Sequence, residues 1–443
     1  MQIQLTFKYL LTPEGLCRDQ TVVVGETGLI EALQPGKGPA DGFLAIPGMP
    51  NAHSHAFQRA LSGFAEARTG ADSFWSWREA MYRLANKVTP EDMFVIAREA
   101  FLDMLRGGFT SVAEFHYVHH MPDGRPGPEM ARAIVRAAAA AGIHLLLLPV
   151  FYQAGGFNMP ATQAQRRFVH ASIEDYCHLL QQLDGVRLGI APHSLRAVAP
   201  ETLLRLIETV DSLNASQLPI HIHVSEQQQE VEECRALYRV TPVELLARTV
   251  ALSQRWNLVH ATHATETERH LIVKHESTIV LCPITEAYLG DGLFAADEFN
   301  VAAGRIAIGS DSNCRIDAIE ELRWLEYGQR LRKQQRAQFA DTSGLGAALW
   351  TLACNGGASA LAEPVGAIAV GKRADLVVLD EHADPWRGHG IDTLLDALII
   401  GGSHHDIASV YVGGKRRVDH GVATGAQASA REFERVVARL NEK

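Results

Sequence analysis

The run Pro47-Gly48-Met49-Pro50-Asn51-Ala52-His53-Ser54-His55 decides how this chain is read. It reads as a strand that ends on a His-x-His pair, and on a strand residues i and i+2 point to the same face. Both imidazoles can therefore reach one ion. Taken alone the pair is weak, because such spacing arises more often from chance or packing than from ligation. Three later stretches give it meaning. Ile220-His221-Ile222-His223-Val224-Ser225-Glu226 reads as a buried strand ending in a histidine, with a carboxylate three residues on. Ile308-Gly309-Ser310-Asp311-Ser312 puts a carboxylate at the end of a late apolar strand, between small residues that leave room beside it. Leu258-Val259-His260-Ala261-Thr262-His263 supplies another strand-end histidine between those two.

Outward from these stretches the pattern alternates. Strand-like runs at Thr110–Phe115, Leu145–Phe151, Arg187–Ala191, Ile220–Val224, Leu258–His260, Ile279–Cys282 and Ile306–Ile308 are each followed by a helix-like stretch. Strand-then-helix order implies a parallel sheet, and about eight such units imply a (β/α)8 TIM-like barrel, whose active sites are built at the carboxyl ends of the strands. Each chemical residue above sits at such an end. The chain ends differ: residues 1–46 and 362–443 hold short β-like pieces with turns, such as Ala374–Leu379 and Ser409–Gly414, and a final helical stretch from Ala428. Neither end is large enough for its own core, so the two are expected to form one small β-sandwich beside a barrel of residues 47–361.

Composition excludes several classes of function. The chain has 443 residues, 47% hydrophobic and 21% charged, enough for a large core. A formal net charge of -10 argues against a nucleic-acid partner. The most apolar stretch, Ala137–Phe151, is broken by Gly142 and His144 and reads as a helix end followed by a buried strand, so no membrane partner is expected. The amino terminus has no secretory pattern, and the six cysteines include no Cys-x-x-Cys pair, which suits reduced thiols and a cytoplasmic location.

The order and placement of these motifs resemble the amidohydrolase superfamily across nearly the whole chain, including Val370-Gly371-Lys372-Arg373-Ala374-Asp375-Leu376. The resemblance implies His53, His55, His223 and Asp311 as ligands of one divalent ion, with Zn²⁺ favoured and Fe²⁺ or Mn²⁺ as alternatives. It also implies that Asp311 takes a proton from the ion-activated water, that Glu226 carries it to the leaving nitrogen, and that His260 stabilises the tetrahedral centre. His221 shares a face with His223, but in the superfamily the ligand precedes the acid by three positions, so His221 is read as an interior histidine. His263 competes with His260, which the strand-end position favours. His116, His119 and His120 do not read as a second metal site.

Within the superfamily the motifs resemble the deaminase branch. Ala56–Arg59, Phe74–Glu79, Ala113–His120, Ala191–Arg196 and Glu320–Gly328 are similar to deiminases that act on a linear formimidoyl group carried by glutamate. This implies a small dicarboxylate substrate, N-formimidoyl-L-glutamate, hydrolysed to N-formyl-L-glutamate and ammonia in histidine degradation. Arg196, after a strand end, and Arg78, in an early loop, would bind its carboxylates through guanidinium forks. Gln58, Tyr117 and His193 would orient the rest, while Trp75 and Trp77 are read as lid or core packing. Relatives suggest a homodimer. A purine or pyrimidine deaminase of the same branch is the alternative, and a non-catalytic scaffold would require lost ligands, of which there are none.

Overall fold

The computed structural model describes residues 2–66 and 74–442. Its centre is a ring of eight parallel strands: β1 Met49–Ser54, β2 Phe109–His116, β3 His144–Phe151, β4 Ala191–Pro192, β5 Ile220–Val224, β6 Trp256–His260, β7 Thr278–Leu281 and β8 Arg305–Ile308. They form two ladders, β1-β2-β3-β4 and β5-β6-β7-β8. Bridges at Ile190/Ile220 and Ser194/His223 join the ladders on one side, and a bridge at Ser54/Asp311 joins them on the other. The ring therefore closes as a (β/α)8 barrel. Every residue of β1, β2, β5 and β6 is buried. Strands covered on both faces lose the alternating polar pattern, which explains their near-continuous apolar runs.

The covering helices are read from the same logic. Helix Pro90–Arg106 starts at Thr89, whose side chain accepts from Asp92 N while Asp92 reaches back, with proline at the first turn. Such a cap contributes about 1 kcal/mol. The helix buries Met93, Ile96, Ala97, Ala100, Phe101 and Met104, a stripe at the three-and-four spacing that faces a core. Its other side meets the C-terminal helix Ala426–Asn441, where Arg98 pairs with Glu432 at 2.6 Å.

The fourth strand is shorter than its sequence suggests. Only Ala191 and Pro192 pair in a ladder, while Leu188 and Ile190 make isolated bridges. Proline at 192 has no N–H to donate, and Gly189 sits where a Cβ would collide with Leu148 and the Pro219 carbonyl.

The two chain ends do meet. In hydrogen-bond terms the layer they build is one continuous sheet of eight strands, running Val422–Ala423, Lys415–Asp419, Ile407–Val412, Leu376–Leu379, Gly42–Pro47, Ile3–Thr12, Gly15–Val24 and Ile30–Pro35. The seam is Gly42–Pro47, parallel to the first strand and antiparallel to Leu376–Leu379. This sheet has its own core, including Phe7, Leu10, Val22, Val24, Ile30 and Leu376. Trp350, on the barrel helix Leu345–Leu361, donates to the Pro47 carbonyl at 2.9 Å and fixes the point where this sheet hands over to β1.

Candidate active site

The histidine pair His53 and His55 is set by β1, and main-chain bonds bring the Asp311 carboxylate to it. His55 N donates to the Asp311 carbonyl at 2.8 Å, and Asp311 N donates to the His53 carbonyl at 3.0 Å. Gly309 makes this approach possible, because a Cβ there would lie 2.7 Å from the His53 carbonyl oxygen. On the other seam, His223 N donates to the His193 carbonyl at 3.1 Å. Ring closure thus gathers residues more than 250 positions apart.

The side chains converge. His53 Nε2 lies 3.1 Å from both His55 Nε2 and His223 Nε2, and Asp311 Oδ1 is 3.3 Å from His55 Nε2 and 3.5 Å from His53 Nε2. His55 Nδ1 is 2.9 Å from the Phe115 carbonyl and His223 Nδ1 is 3.1 Å from the His193 carbonyl. A carbonyl only accepts, so both Nδ1 atoms carry the proton and both Nε2 atoms face the centre as lone pairs. Burial keeps the rings neutral: it lowers His53 to about 3, against a bond to Asp311, and pushes His55 and His223 down as well. Lone pairs packed this closely repel unless a cation lies between them. This donor set fits one divalent metal.

Asp311 stays ionised. Burial opposes this, but the bond to His53 and the neighbouring rings of His55 and His260 hold its carboxyl well below the usual range. His260 behaves oppositely to His53, His55 and His223. Burial alone would lower it, yet the bond to Glu286 and the carboxylates of Glu226 and Asp311 raise it to about 10. Its Nε2 lies 3.7 Å from Asp311 Oδ2 and 3.9 Å from Glu226 Oε1, so this ring sits between the two carboxylates. Ser225, His260, Ala261 and Asp311 all have positive φ, between 43° and 66°. Left-handed backbone outside glycine costs of order 1–3 kcal/mol, and its concentration at strand ends marks a site that the fold holds under strain.

One cavity is lined by His55, His223, His260, Asp311 and Glu226 together with Gln58, Arg78, Tyr117, His193 and Arg196. His53 lies beneath it, fully buried. The residues expected to bind metal, carry catalysis and hold substrate therefore meet in one place. Gln58 Nε2 donates to Tyr117 Oη at 2.7 Å, and Gln58 Oε1 is buried without a hydrogen-bond partner among the described residues. Arg196 is 7% exposed and lies 3.2 Å from Glu226 Oε2 and 3.5 Å from Glu230 Oε2.

Some expectations need correction and others extension. Arg78 is on a helix, Phe74–Lys87, and not in a loop; it reaches the cavity from that helix and stacks over the Tyr82 ring at 5.5 Å. Trp77 lines the cavity wall, while the side chain of Trp75 lies outside the described residues. His221 is the interior histidine expected, with Nε2 2.9 Å from the Ala360 carbonyl. Among the described residues His119 and His120 hold main-chain carbonyls and join no metal-type group. All six cysteines are free thiols.

Sequence reading missed Glu114, Glu230 and Glu286. Glu114 accepts from Ser54 Oγ and Ala56 N at 2.7 Å each, bracing His55 from both sides. Burial raises its carboxyl to about 8, against those two bonds. A carboxylate inside the apolar run of β2 was the available signal. Glu230 accepts from the backbone of Ser225 and Glu226 and so fixes the turn that carries Glu226. Glu286 had no comparable signal.

Residues 44–417 match the family model described as the amidohydrolase family. The chain is 45% identical to formimidoylglutamate deiminase from Pseudomonas aeruginosa over 97% of this chain and 98% of that protein. It is 28% identical to a 5-methylthioadenosine/S-adenosylhomocysteine deaminase from Natronomonas pharaonis, over 99% of this chain and 98% of that one. Among solved structures, an amidohydrolase from Brucella melitensis superposes with a TM-score of 0.89 at 39% identity, covering 99% of this chain and 100% of its own.

Proposed function

The chain belongs to the amidohydrolase family, and from that premise we propose that it hydrolyses the carbon–nitrogen bond of N-formimidoyl-L-glutamate, giving N-formyl-L-glutamate and ammonia. The observation that carries the substrate reading is that two guanidinium groups, Arg78 and Arg196, line the same cavity as the histidine cluster. A nucleobase pocket has no use for two cations. A substrate with two carboxylates does, because planar guanidinium forks pair with carboxylates and limit the cost of removing them from water.

In this reading His53, His55, His223 and Asp311 hold one divalent ion, for which three neutral imidazoles and a carboxylate favour Zn²⁺. Bound there, such an ion would acidify water enough for attack near neutral pH and polarise the amidine. Asp311, kept ionised, accepts a proton at its carboxylate. Glu226 delivers one to the amidine nitrogen, so that the group departs as ammonia and not as its conjugate base. His260 donates from Nε2 to the oxygen that adds to the reacting carbon, and so stabilises the tetrahedral centre. Gln58 Oε1, buried and unpartnered among the described residues, accepts an N–H of the formimidoyl group, with Tyr117 holding the amide in place. His193 and Arg196 position the glutamate portion for attack. The atoms balance: water supplies the formyl oxygen, and its two protons leave on nitrogen.

Residues 47–361 are the catalytic unit in this reading, with the terminal sheet as support. A cytoplasmic homodimer acting in histidine degradation completes it; among the described residues no helix is long and apolar enough to cross a membrane. Hydrolysis in ¹⁸O-enriched water tests the chemistry. One labelled oxygen in the formyl group of the product supports it, and unlabelled product or none rejects it.

A further inference from the structure

Tyr82 and Tyr152 line the cavity beside Arg78 and Arg196, and the mechanism above gives them no part. One amide holds both phenols. Gln165 Nε2 is 3.1 Å from Tyr82 Oη and 2.6 Å from Tyr152 Oη. The orientation of that amide is decided at its other end, where Gln165 Oε1 lies 2.9 Å from Thr162 N and 3.0 Å from Thr162 Oγ1. A backbone N–H can only donate, so the atom facing it is the oxygen, and the NH2 group faces the phenols. Gln165 is 1% exposed and has no other orientation that satisfies Thr162.

The proton count follows. The amide gives one N–H to each phenol, so each phenolic oxygen is an acceptor there and keeps its own O–H. Should one phenol turn its proton to the other, the second still has an O–H to give. The guanidinium of Arg78 stacks on the Tyr82 ring at 5.5 Å. Tyr152 is held protonated mainly by burial, and Arg196 and Arg78 both lie near enough to work against that. Cations and neutral O–H donors thus converge where an anion is best received.

We propose that Tyr82 and Tyr152, oriented by Gln165, form with Arg78 the receptor for the second carboxylate of the substrate, the one remote from the reacting carbon. Arg196, tied to Glu226, adds its charge beside Tyr152. Gln165 is a positioning residue: it touches no substrate and sets the direction of the phenolic protons. The proposal rests on the dicarboxylate reading above and names the groups that make the site select for it.

Calorimetric binding of N-formyl-L-glutamate and of N-formyl-L-glutamine to the full, zinc-loaded chain tests this, with turnover of N-formimidoyl-L-glutamate measured separately. The wild type prefers the dicarboxylate. Tyr82→Phe/Tyr152→Phe loses that preference by about ten- to a hundredfold, as for hydrogen bonds to a charged group, while affinity for the glutamine compound holds. Gln165→Glu, which keeps both phenols but draws their protons onto its own carboxylate, loses it as well. An unchanged preference in the double phenylalanine variant, or none in the wild type, overturns the proposal. A wild type that turns over the substrate while the variants keep their preference removes the tyrosine pair and leaves the function standing. A phenol-dependent preference without turnover does the reverse.

Discussion

Glu286 Oε1 takes two hydrogen bonds at once, from His260 Nδ1 at 3.2 Å and from Cys282 N at 2.9 Å. The carboxylate that orients the His260 imidazole is thereby anchored to the end of β7. Nδ1 must carry a proton to make this bond, which leaves Nε2 facing Glu226 and Asp311. Because both bonds fall on one oxygen, Glu286→Gln can keep them and Glu286→Ala cannot. Steady-state kinetics should show the alanine variant losing about ten- to a hundredfold in kcat, the range for removing the orienting partner of a site histidine, and the glutamine variant losing much less. Equal losses would assign Glu286 a role through charge alone.

Glu226→Gln should keep the metal and lose about 10²- to 10⁴-fold in turnover, the usual contribution of a positioned proton carrier. Metal content by atomic absorption and kcat are read on the same sample. Near-normal activity, or loss of the ion, would remove Glu226 from this role.

Arg196→Met acts on more than substrate. Arg196 is buried against Glu226 and Glu230, so its loss strands two buried carboxylates. Breaking a buried pair from one side costs about 3–5 kcal/mol. The expected result is a lower Tm together with a fall in kcat/KM for the dicarboxylate substrate. An unchanged specificity constant would take Arg196 out of the pocket.

The convergence of His53, His55, His223 and Asp311 was legible because strand periodicity is a local rule: His53 and His55 share a face by spacing alone, and His223 and Asp311 stand at the ends of β5 and β8 in the sequence itself. What escaped was set by tertiary approach. Gln165 meets Tyr82 across 83 positions, and no local pattern announces that contact. Glu286 looks like an ordinary first-turn acid after Pro283 until β6 brings His260 beside it. Around Arg78 the run Phe74-Trp75-Ser76-Trp77 crowds aromatic residues together and obscures the helical period of Phe74–Lys87. The brevity of β4 was masked by Leu188 and Ile190, apolar residues that make only single bridges outside the ladder.

Acid should destabilise the fold through buried histidines outside the His53, His55 and His223 cluster. Burial, aided for His116 by Arg167 and for His170 by His120, lowers both to about 3, and burial lowers His221 to about 4 against its bond to Ala360. Unfolded histidine titrates near 6.5, so below that pH the unfolded chain binds more protons than the folded one. The stability these groups contribute is complete above pH 6.5 and is lost as pH falls toward 4. Each accounts for about 1.4 kcal/mol per pH unit in that window. Urea midpoints measured from pH 7 to 4.5 should fall steeply, and His170→Asn should flatten the slope by about one third of the three-histidine contribution. A flat profile in the wild type would mean that these rings are not buried and neutral.

The measurement closest to the central claim is ammonia release by the purified zinc-loaded protein from N-formimidoyl-L-glutamate, alongside cytosine, guanine and adenosine, with a chelated control. The account predicts metal-dependent release from the formimidoyl compound alone. Release only from a nucleobase would leave the barrel and metal centre standing and contradict the two-arginine reading of the cavity, and release unaffected by chelation would contradict the metal centre itself.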